Sequence, residues 1–262
     1  MDKQVCFCRN KVFSVDFISF SKSVPEILEK AGLHKLLQKP KKIILKPNLT
    51  TNLPPPCTTP ALLVEEVIKF CRKFSKAEIT VAEGSGGCDT LIAFKDLGYE
   101  RLAKNYKIKL VDLNREERIE LKNPKVKALK KVKLPKIIFD GFFINLPVLK
   151  QHDEGILTCA TKNLFGIYLN QGLIKHFLPR WWNKSELHYK YGVQESVYDL
   201  NLYRPSDFVL VDASIGQLGN EIHGSPCRPP IKKLFTGFDN LEVDRFCAPF
   251  LHLDPNSIPY LN

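Results

Sequence analysis

Short apolar runs alternate with amphipathic segments along most of the chain, the pattern expected of strands and helices in turn. The runs are short, rich in isoleucine, valine and phenylalanine, and bounded by turn residues, which favours strands over buried helices. The predicted strands are residues 41–46, 78–82, 108–112, 137–144, 207–213 and 231–236, with shorter pieces at 5–7 and 12–15.

Apolar residues at helical spacing predict helices between these strands. The segment 60–74 carries leucine, valine and phenylalanine on one face, and Thr59-Pro60 supplies its cap and first position. A shorter helix is predicted to begin at Ser23, as its N-cap, and to run to Ala31. Another is predicted over 193–202.

This alternation predicts an α/β fold with a mostly parallel sheet and flanking helices. With 262 residues the chain can bury a full core, so we predict a single domain over 1–262. The charged segment 114–136 is expected to hold a helical piece and an edge strand. Its lysine-rich part, 121–136, is the best candidate for a hinge between two lobes, 1–125 and 137–262, around a cleft.

The stretch 144–166 concentrates candidate chemistry directly after the predicted strand 137–144, and Pro147 is expected to stop strand pairing there. Its polar residues of interest are Lys150, His152, Lys162 and Asn163. In an open parallel sheet, ligands bind at the loops that follow the carboxyl ends of the strands. Lysines, a histidine and an amide at such a place suggest an anion-binding or acid–base site. The alternative is a polar loop followed by a packed helix.

A glycine-rich turn follows the predicted strand 78–82, with the sequence Glu83-Gly-Ser-Gly-Gly-Cys-Asp-Thr90. A strand, such a turn and a helix in succession can present backbone N–H groups to an anion. No lysine follows the glycines, so the turn is neither a dinucleotide fingerprint nor a Walker A motif. Glu83 is a candidate general base or metal ligand. A flexible turn with an acidic helix cap is the alternative.

Eight cysteines are dispersed along the chain without a C-x-x-C pair, and the closest two are Cys6 and Cys8. A chain of this size needs no disulfides, so we expect reduced thiols and a cytoplasmic protein. A cluster assembled from distant cysteines is the alternative. The N-terminal residues show no signal peptide and no apolar run has transmembrane length, so no membrane association is expected.

The formal net charge of +11 is concentrated in two lysine-rich stretches, 34–46 and 121–136. Such patches can bind nucleic acid or another anionic surface. Arginine and aromatic residues are scarce in both stretches, which weakens recognition of bases or of the phosphate backbone. We therefore favour a solvated, lysine-rich face, with nucleic-acid binding through 121–136 as the alternative.

Short motifs follow one another in order along residues 40–260. The most specific are Lys46-Pro-Asn-Leu, Asn145-Leu-Pro-Val-Leu-Lys150-x-His152 and Lys162-Asn-Leu-Phe-Gly166. The others are Thr58-Thr59-Pro60, Glu83-Gly-Ser-Gly, Ala93-Phe94 with Gly98-Tyr99, Asp112-Leu113, His176, Asp212, Gly237-x-Asp239 and Asp244. Together they resemble the domain of unknown function 362 family.

Some members of that family carry an added ferredoxin-like module and are described as iron–sulfur proteins. This chain has no C-x-x-C-x-x-C run, so the resemblance implies the core alone and argues against an iron–sulfur cluster here. The loop Gly219-Asn-Glu-Ile-His-Gly224 lacks the Gly-Pro pairing expected of the family, and the resemblance implies a C-terminus that ends earlier than in other members. We expect either departure to alter substrate choice or to reduce activity.

The motif residues lie mainly at predicted strand ends, which converge at one edge of a parallel sheet, so we predict one cleft. The predicted catalytic residues are Lys150, His152 and Glu83. The predicted substrate-binding residues are Lys46, Asn48, Ser85, Lys162, Asn163 and His176, since lysines hold phosphate or carboxylate groups well. A divalent metal ion is predicted on Asp212 and Asp244 together with Glu83, because hard cations prefer oxygen ligands.

Structural roles are the alternatives for the two aspartates: Asp212 would cap a turn, and Asp244 would be an acid at a helix start. The sequence favours an enzyme acting on a small anionic metabolite, with the reaction class and the oligomeric state left open. An iron–sulfur or redox accessory protein is the second hypothesis, and a nucleic-acid-binding protein is the third.

Overall fold

The computed structural model describes residues 11–170 and 184–262. The strands are β1 (Phe13–Asp16), β2 (Lys42–Pro47), β3 (Glu78–Glu83), β4 (Lys109–Asp112), β5 (Arg118–Lys122), β6 (Lys131–Pro135), β7 (Phe142–Leu146), β8 (Val148–His152), β9 (Ile156–Thr158), β10 (Phe208–Leu218), β11 (Ser225–Pro226) and β12 (Lys233–Gly237). The helices are α1 (Phe20–Lys30), α2 (Leu33–Leu36), α3 (Ala61–Phe74), α4 (Thr90–Asp96), α5 (Tyr99–Tyr106), α6 (Ala160–Asn163), α7 (Ser185–Tyr189), α8 (Val193–Tyr203) and α9 (Asn240–Cys247). Short 3₁₀ turns cover Lys136–Phe139, Leu164–Ile167, Ala248–Leu251, Pro255–Ser257 and Pro259–Leu261.

The main path of the large sheet runs β1-β12-β10-β7-β2-β3-β4. Neighbouring strands from β10 to β4 are parallel, whereas β12 pairs antiparallel with both β10 and β1. The predicted α/β fold with a mostly parallel sheet and flanking helices is therefore confirmed. Because β7, β2 and β3 point the same way, their carboxyl ends meet at one edge, where Asn145, Lys46 and Glu83 lie.

Alternation along the central strands builds an apolar core on each face of the sheet. Ile43 and Leu45 of β2 pack in one cluster with α1 and α3, while Ile44 packs in the other with α8 and α9. Strands buried on both faces read as continuous apolar runs, which is why the sequence pattern located them. The helices predicted over 60–74 and 193–202 are confirmed as α3 and α8.

The segment after Phe139 differs from its prediction. A 3₁₀ turn covers Lys136–Phe139, so strand β7 begins only at Phe142. Pro147 does not end the pairing, because its carbonyl accepts the Asp212 N–H at 2.9 Å and β8 then continues beside β10. The predicted polar loop is therefore the β8–β9 hairpin, and β10 extends well beyond the predicted 207–213 because β8 gives it a further partner.

Helix α1 also begins earlier than predicted, with Ser19 at its N-cap rather than Ser23. The Ser23 hydroxyl lies inside the helix, where it donates to the Asp16 carbonyl at 3.1 Å and accepts the Ile18 N–H at 3.0 Å. A serine near a helix start can thus tie down the preceding loop instead of capping. In the described part of the chain, no helix has the length and apolarity needed to cross a bilayer.

The lysine-rich segment forms the antiparallel pair β5–β6 instead of the expected helical piece. Val132 and Leu134 are buried, whereas Lys131 and Lys133 beside them are exposed, so β6 is an amphipathic strand with lysines on its outer face. The division into two lobes with a hinge at 121–136 stays a prediction.

Candidate functional site

A cavity of about 180 Å³ opens at the carboxyl edge of the parallel strands. It is smaller than the roughly 300–1,000 Å³ that drug-sized ligands occupy, which favours a small metabolite. Its walls come from the ends of β2 and β3, the β8–β9 hairpin, α6 with the 3₁₀ turn after it, α7, and the loop before β11. The polar lining includes Lys46, Asn48, Glu83, Lys150, His152, Thr158, Lys162, Asn163, Lys184, His188 and Glu221.

Lys46 and Glu83 form a buried ion pair at the floor of this cavity, with Lys46 Nζ 2.9 Å from Glu83 Oε1 and 3.0 Å from Oε2. Lys46 also donates to the Pro47 carbonyl, while the Glu83 carboxylate accepts the N–H groups of Leu49 and Gly84. Burial lowers the pKa of Lys46, and the charge of Glu83 opposes that shift. Both groups are saturated by protein partners, which favours a structural role over the predicted substrate-binding and catalytic ones.

Gly166 explains why the Lys-Asn-Leu-Phe-Gly motif ends in glycine. A Cβ at this position would lie 2.1 Å from Glu83 Oε1 and 2.6 Å from Lys46 Nζ. The backbone of the 3₁₀ turn Leu164–Ile167 therefore packs directly on the ion pair, an approach that only glycine permits.

Two asparagines extend the same network. Asn163 accepts from Lys46 Nζ at 3.4 Å and from Asn48 Nδ2 at 2.8 Å, and it donates to Asn145 Oδ1 at 2.7 Å. Asn163 is thus used within the protein. Asn48 and Thr158 line the cavity, and Asn48 Oδ1 and the Thr158 hydroxyl are buried without a hydrogen-bond partner among the described residues. Buried polar atoms are nearly always paired, so these two indicate groups that a ligand would satisfy.

The glycine-rich turn presents fewer free backbone N–H groups to an anion than predicted. The N–H groups of Gly84, Ser85 and Gly87 are already bonded within the protein, to Glu83 Oε1, Thr90 Oγ1 and the Thr50 carbonyl. The Ser85 hydroxyl donates to the Leu49 carbonyl at 2.6 Å, and Ser85 does not line the cavity. The geometry therefore favours a structural turn over a substrate-binding one.

Lys150 on β8 reaches across the cavity mouth. Its Nζ donates to the carbonyls of Cys57 at 2.7 Å and Glu221 at 2.8 Å, which leaves one N–H of the ammonium without a partner among the described residues. Burial lowers the pKa of Lys150 to about 8, against the opposing effect of Cys57 and Glu221. Lys150 can therefore switch between cation and neutral amine close to neutral pH.

Lys162 on α6 differs from the other lysines of the cavity. Its Nζ lies 3.6 Å from the centroid of the Phe165 ring, and it has no hydrogen bond or ion pair with any residue in the described ranges. Burial lowers the pKa of Lys162 to about 7, and Glu221 and Lys150 act on it in opposite directions. This amine faces the cavity with its full hydrogen-bonding capacity.

His152 and His188 both line the cavity, and their rings are stacked, with centroids 6.2 Å apart and planes inclined by 22°. His152 Nδ1 accepts the Gly155 N–H at 3.0 Å, which assigns its proton to Nε2. His188 Nδ1 lies 2.8 Å from Glu154 Oε2 and donates to it, which leaves Nε2 as the acceptor. The pair therefore presents one donor and one acceptor.

Burial shifts both histidines towards the neutral form. Burial lowers the pKa of His152 far below its usual range, and the positive charge of Lys162 adds to this. Glu221 Oε2 approaches His152 Nδ1 only to 3.6 Å, and that nitrogen is already an acceptor, so we do not assign a charged pair there. Burial also lowers the pKa of His188, although Glu154 opposes the shift.

The two aspartates predicted as metal ligands do not line the cavity. Asp212 accepts the Ser214 N–H at 2.9 Å, in agreement with the turn-capping alternative. Asp244 accepts the N–H groups of Ala160 and Thr161 at 2.6 and 3.1 Å and the Tyr260 hydroxyl at 2.9 Å. Through these bonds Asp244 holds the backbone at the start of α6, directly before Lys162.

Within residues 11–170 and 184–262, no group of three or more histidine, cysteine, aspartate and glutamate residues is placed to hold a metal ion. The six cysteines in these ranges are free thiols, all but Cys88 buried. Cys6, Cys8 and the predicted substrate-binding residue His176 lie outside the described residues. The metal and iron–sulfur hypotheses stay predictions.

Sequence reasoning missed the contribution of α7 and of its N-cap residue: the helix places His188 on the cavity, and the N-cap residue is Lys184. Lys184 Nζ donates to Asn114 Oδ1 at 2.8 Å and to the carbonyls of Gly166 and Tyr168, so it is saturated like Lys46. The i, i+4 spacing of Lys184 and His188 is a signal that could have found them, since it puts both on one helix face. Glu221 was noted only as part of a divergent loop, yet that loop closes one wall of the cavity.

A family model described as "Domain of unknown function (DUF362)" matches residues 43–249. None of the curated proteins is similar enough in sequence to match the chain. The structure of the lactate racemase apoprotein from Thermoanaerobacterium thermosaccharolyticum is similar with a TM-score of 0.53 and 18% identity, covering 90% of this chain and 56% of that one. A crystal structure of a Thermotoga maritima protein has a TM-score of 0.43 and 14% identity, covering 82% and 55%. The chain thus spans little more than half of each solved chain, and only the first similarity supports a shared fold.

Proposed function

We propose that this chain, which belongs to the domain of unknown function (DUF362) family because the family model matches residues 43–249, is an enzyme. It binds a small carboxylate or phosphate in the cavity at the sheet edge and transfers a proton to or from it. The observation that carries this proposal is the stacked pair His152 and His188, one a donor and the other an acceptor, beside two lysines with unused hydrogen-bonding capacity.

The lysines of the cavity differ in how many N–H groups remain free to bind an anion. Lys46 and Lys184 are saturated by protein acceptors, whereas Lys150 keeps one N–H and Lys162 keeps all of its own. In a small buried cavity, an ammonium donor to a carboxylate or phosphate makes a short, strong hydrogen bond. Lys150 therefore holds the anionic group of the substrate, and Lys162 lies beside it in the same cavity.

Proton transfer follows from the two neutral imidazoles. His188 Nε2 can accept a proton from a substrate atom, and the resulting cation is stabilised by Glu154, which already accepts from Nδ1 at 2.8 Å. His152 Nε2–H can donate a hydrogen bond to an oxygen on which negative charge develops. Such a positioned acid–base group contributes roughly 10²–10⁴-fold to a reaction rate.

Thermal unfolding in the presence of carboxylated and phosphorylated metabolites tests the binding part of this proposal. A small 2-hydroxy acid such as lactate belongs in the panel, because it has the size and charge that the cavity accommodates. A ligand at about 100 times its Kd stabilises the folded protein by about 2.7 kcal/mol. We expect Lys150→Ala to abolish that shift and the exposed Lys35→Ala to leave it unchanged.

Turnover of the ligand so identified tests the chemical part. His188→Ala and His152→Ala should keep most of the thermal shift but lose activity by about two orders of magnitude or more. A panel in which no anion stabilises the wild-type protein, or in which Lys150→Ala binds as tightly, would contradict the proposal.

A further inference from the structure

The amine of Lys162 is the group of this site that anion binding uses least. We propose that Lys162 is a nucleophile that forms an imine with the carbonyl carbon of a small anionic ligand, such as a 2-oxo acid. This inference rests on the proposed function, since it takes the same cavity and the same anion-binding Lys150, and it names the class of ligand.

The surroundings of Lys162 favour a free amine over a structural ammonium. Lys46 and Lys184 are held by carbonyl, amide or carboxylate oxygens, and Lys150 is held by two carbonyls. Lys162 Nζ instead rests on the Phe165 ring, without an oxygen acceptor among the described residues. The ring face attracts the ammonium form, but it accepts no strong hydrogen bond, and burial outweighs this attraction and lowers the pKa of Lys162 to about 7. A substantial fraction of neutral, nucleophilic amine is therefore present near neutral pH.

The contacts of Lys162 place its side chain near both histidines of the site. The Lys162 side chain packs on Gly155, where a Cβ would lie 3.1 Å from Lys162 Cε and 3.2 Å from His152 Cγ. The Phe165 ring that carries Lys162 Nζ also meets the His188 ring edge-on, with centroids 5.9 Å apart. Lys162 therefore lies close to both the donor and the acceptor imidazole.

These groups account for every atom of the condensation. The amine nitrogen forms a bond to the carbonyl carbon, and the carbonyl electron pair moves to oxygen, which accepts a hydrogen bond from His152 Nε2–H. His188 Nε2 carries the two amine protons in turn to that oxygen. The C–O bond then breaks, water leaves and the C=N bond remains, so no oxidant, reductant or further reactant is needed.

The two orphaned polar atoms of the cavity extend the ligand's description. Asn48 Oδ1 is an acceptor that requires a hydroxyl or N–H group, and the Thr158 hydroxyl can bond an oxygen or a donor. A ligand with a carbonyl, an anionic group and at least one hydroxyl or amine would satisfy Lys162, Lys150 and Asn48 together.

Reductive trapping tests the imine directly. The full chain is incubated with glyoxylate or pyruvate and sodium cyanoborohydride, and the modified lysines are located by peptide mass spectrometry. We expect Lys162 to be modified on the order of tenfold faster than any exposed lysine, because burial lowers its pKa to about 7 and leaves far more neutral amine. The rate at Lys162 should rise to a plateau near neutral pH, whereas exposed lysines keep rising into the alkaline range.

Variants then separate this inference from the function it rests on. Lys162→Arg should abolish selective trapping while its folding, checked by circular dichroism, is retained; the exposed Lys35→Arg is the matched control. Thermal shifts are then compared for pyruvate and for lactate, which has a hydroxyl in place of the ketone carbonyl.

Equal thermal shifts without trapping at Lys162 would overturn the imine but not the anion-binding site. No shift with any anion and no trapping overturns both. The pH profile of trapping in the wild-type chain decides the matter even where Lys162→Arg fails to fold.

Discussion

At the scale of single residues, the role of each buried lysine depends on how many hydrogen-bond acceptors surround its amine. Lys46 and Lys150 are both buried cations, yet one has partners on every side and the other keeps a donor for a ligand. Identical side chains on two strands of one sheet thus divide between holding the fold and lining the cavity with a free donor.

The Lys46–Glu83 pair should be a stability determinant rather than a catalytic one. We expect Glu83→Gln to destabilise the protein by about 3–5 kcal/mol, because it leaves the buried ammonium of Lys46 without its counter-charge. Urea denaturation measures this, and adding Lys46→Met should recover part of the loss, with a coupling of about 0.5–3 kcal/mol. Additive losses would show that the two groups do not act as a pair.

Lys150 should make anion binding depend on pH. Its pKa of about 8 means that the ammonium is present at pH 7 and mostly lost at pH 9. Affinity for a carboxylate that does not itself titrate should therefore fall about tenfold over this interval. The unfolded chain keeps that proton to higher pH, so the same group makes the ligand-free protein more stable, not less, as pH rises from about 8 towards its usual value.

Isothermal titration with one carboxylate across this pH interval measures the effect. Lys150→Arg is the matched variant, because a guanidinium stays charged throughout and should give a flat profile. A wild-type affinity that does not change between neutral and alkaline pH would assign the anion to another group.

At the scale of elements, one aspartate fastens the lysine-rich hairpin to the rest of the fold. The buried carboxylate of Asp199 on α8 accepts the N–H groups of Lys127, Ala128 and Leu129, each at 2.7 Å. Three charge-assisted hydrogen bonds hold the turn between β5 and β6 against α8. The predicted hinge at 121–136 depends on whether these bonds open.

Asp199→Ala should loosen that turn. The Leu129 N–H is buried and would be left unsatisfied at a cost of about 1–3 kcal/mol, whereas water can reach the N–H groups of Lys127 and Ala128. We therefore expect a loss of about 1–3 kcal/mol in unfolding free energy. Limited trypsin digestion should cut faster within 121–136, where the lysines lie. The exposed Asp140→Ala is the control and should change neither measurement. Unchanged cleavage in Asp199→Ala would mean that other contacts hold the segment.

At the scale of the whole molecule, the net charge of +11 includes a group of exposed lysines on β6, outside the cavity. The exposed lysines of β6 form the outer face of a strand whose other face is buried, as in an ordinary amphipathic element. One of them, Lys131, is paired with Glu120 at 2.9 Å. This arrangement favours the solvated-face interpretation over a built nucleic-acid site.

Nucleic-acid binding should accordingly be weak and electrostatic. If three phosphates are neutralised, affinity should fall roughly 40-fold between about 50 and 200 mM salt. Fluorescence anisotropy with a labelled oligonucleotide measures it, and Lys130→Glu with Lys131→Glu and Lys133→Glu should remove it without affecting anion binding in the cavity. Sequence-selective binding that persists at high salt would restore the nucleic-acid hypothesis.

The amino-acid sequence by itself determined the elements and the family. Apolar runs located the central strands because these are buried on both faces, and helical spacing located α3 and α8. The same reasoning brought Lys150, His152 and Lys162 to one place, since residues that follow parallel strands converge at one edge. These features depend on local pattern and on the direction of the chain.

Tertiary structure alone decided which of those residues are available for chemistry. The carboxylate that pairs with Lys46, the backbone groups that bond Asp244 and the stacking of His188 on His152 all come from segments remote in sequence. Periodicity does not encode such partners. Whether a buried polar atom is satisfied is a property of its three-dimensional neighbours, and in this protein that property separates the groups of the site from those of the scaffold.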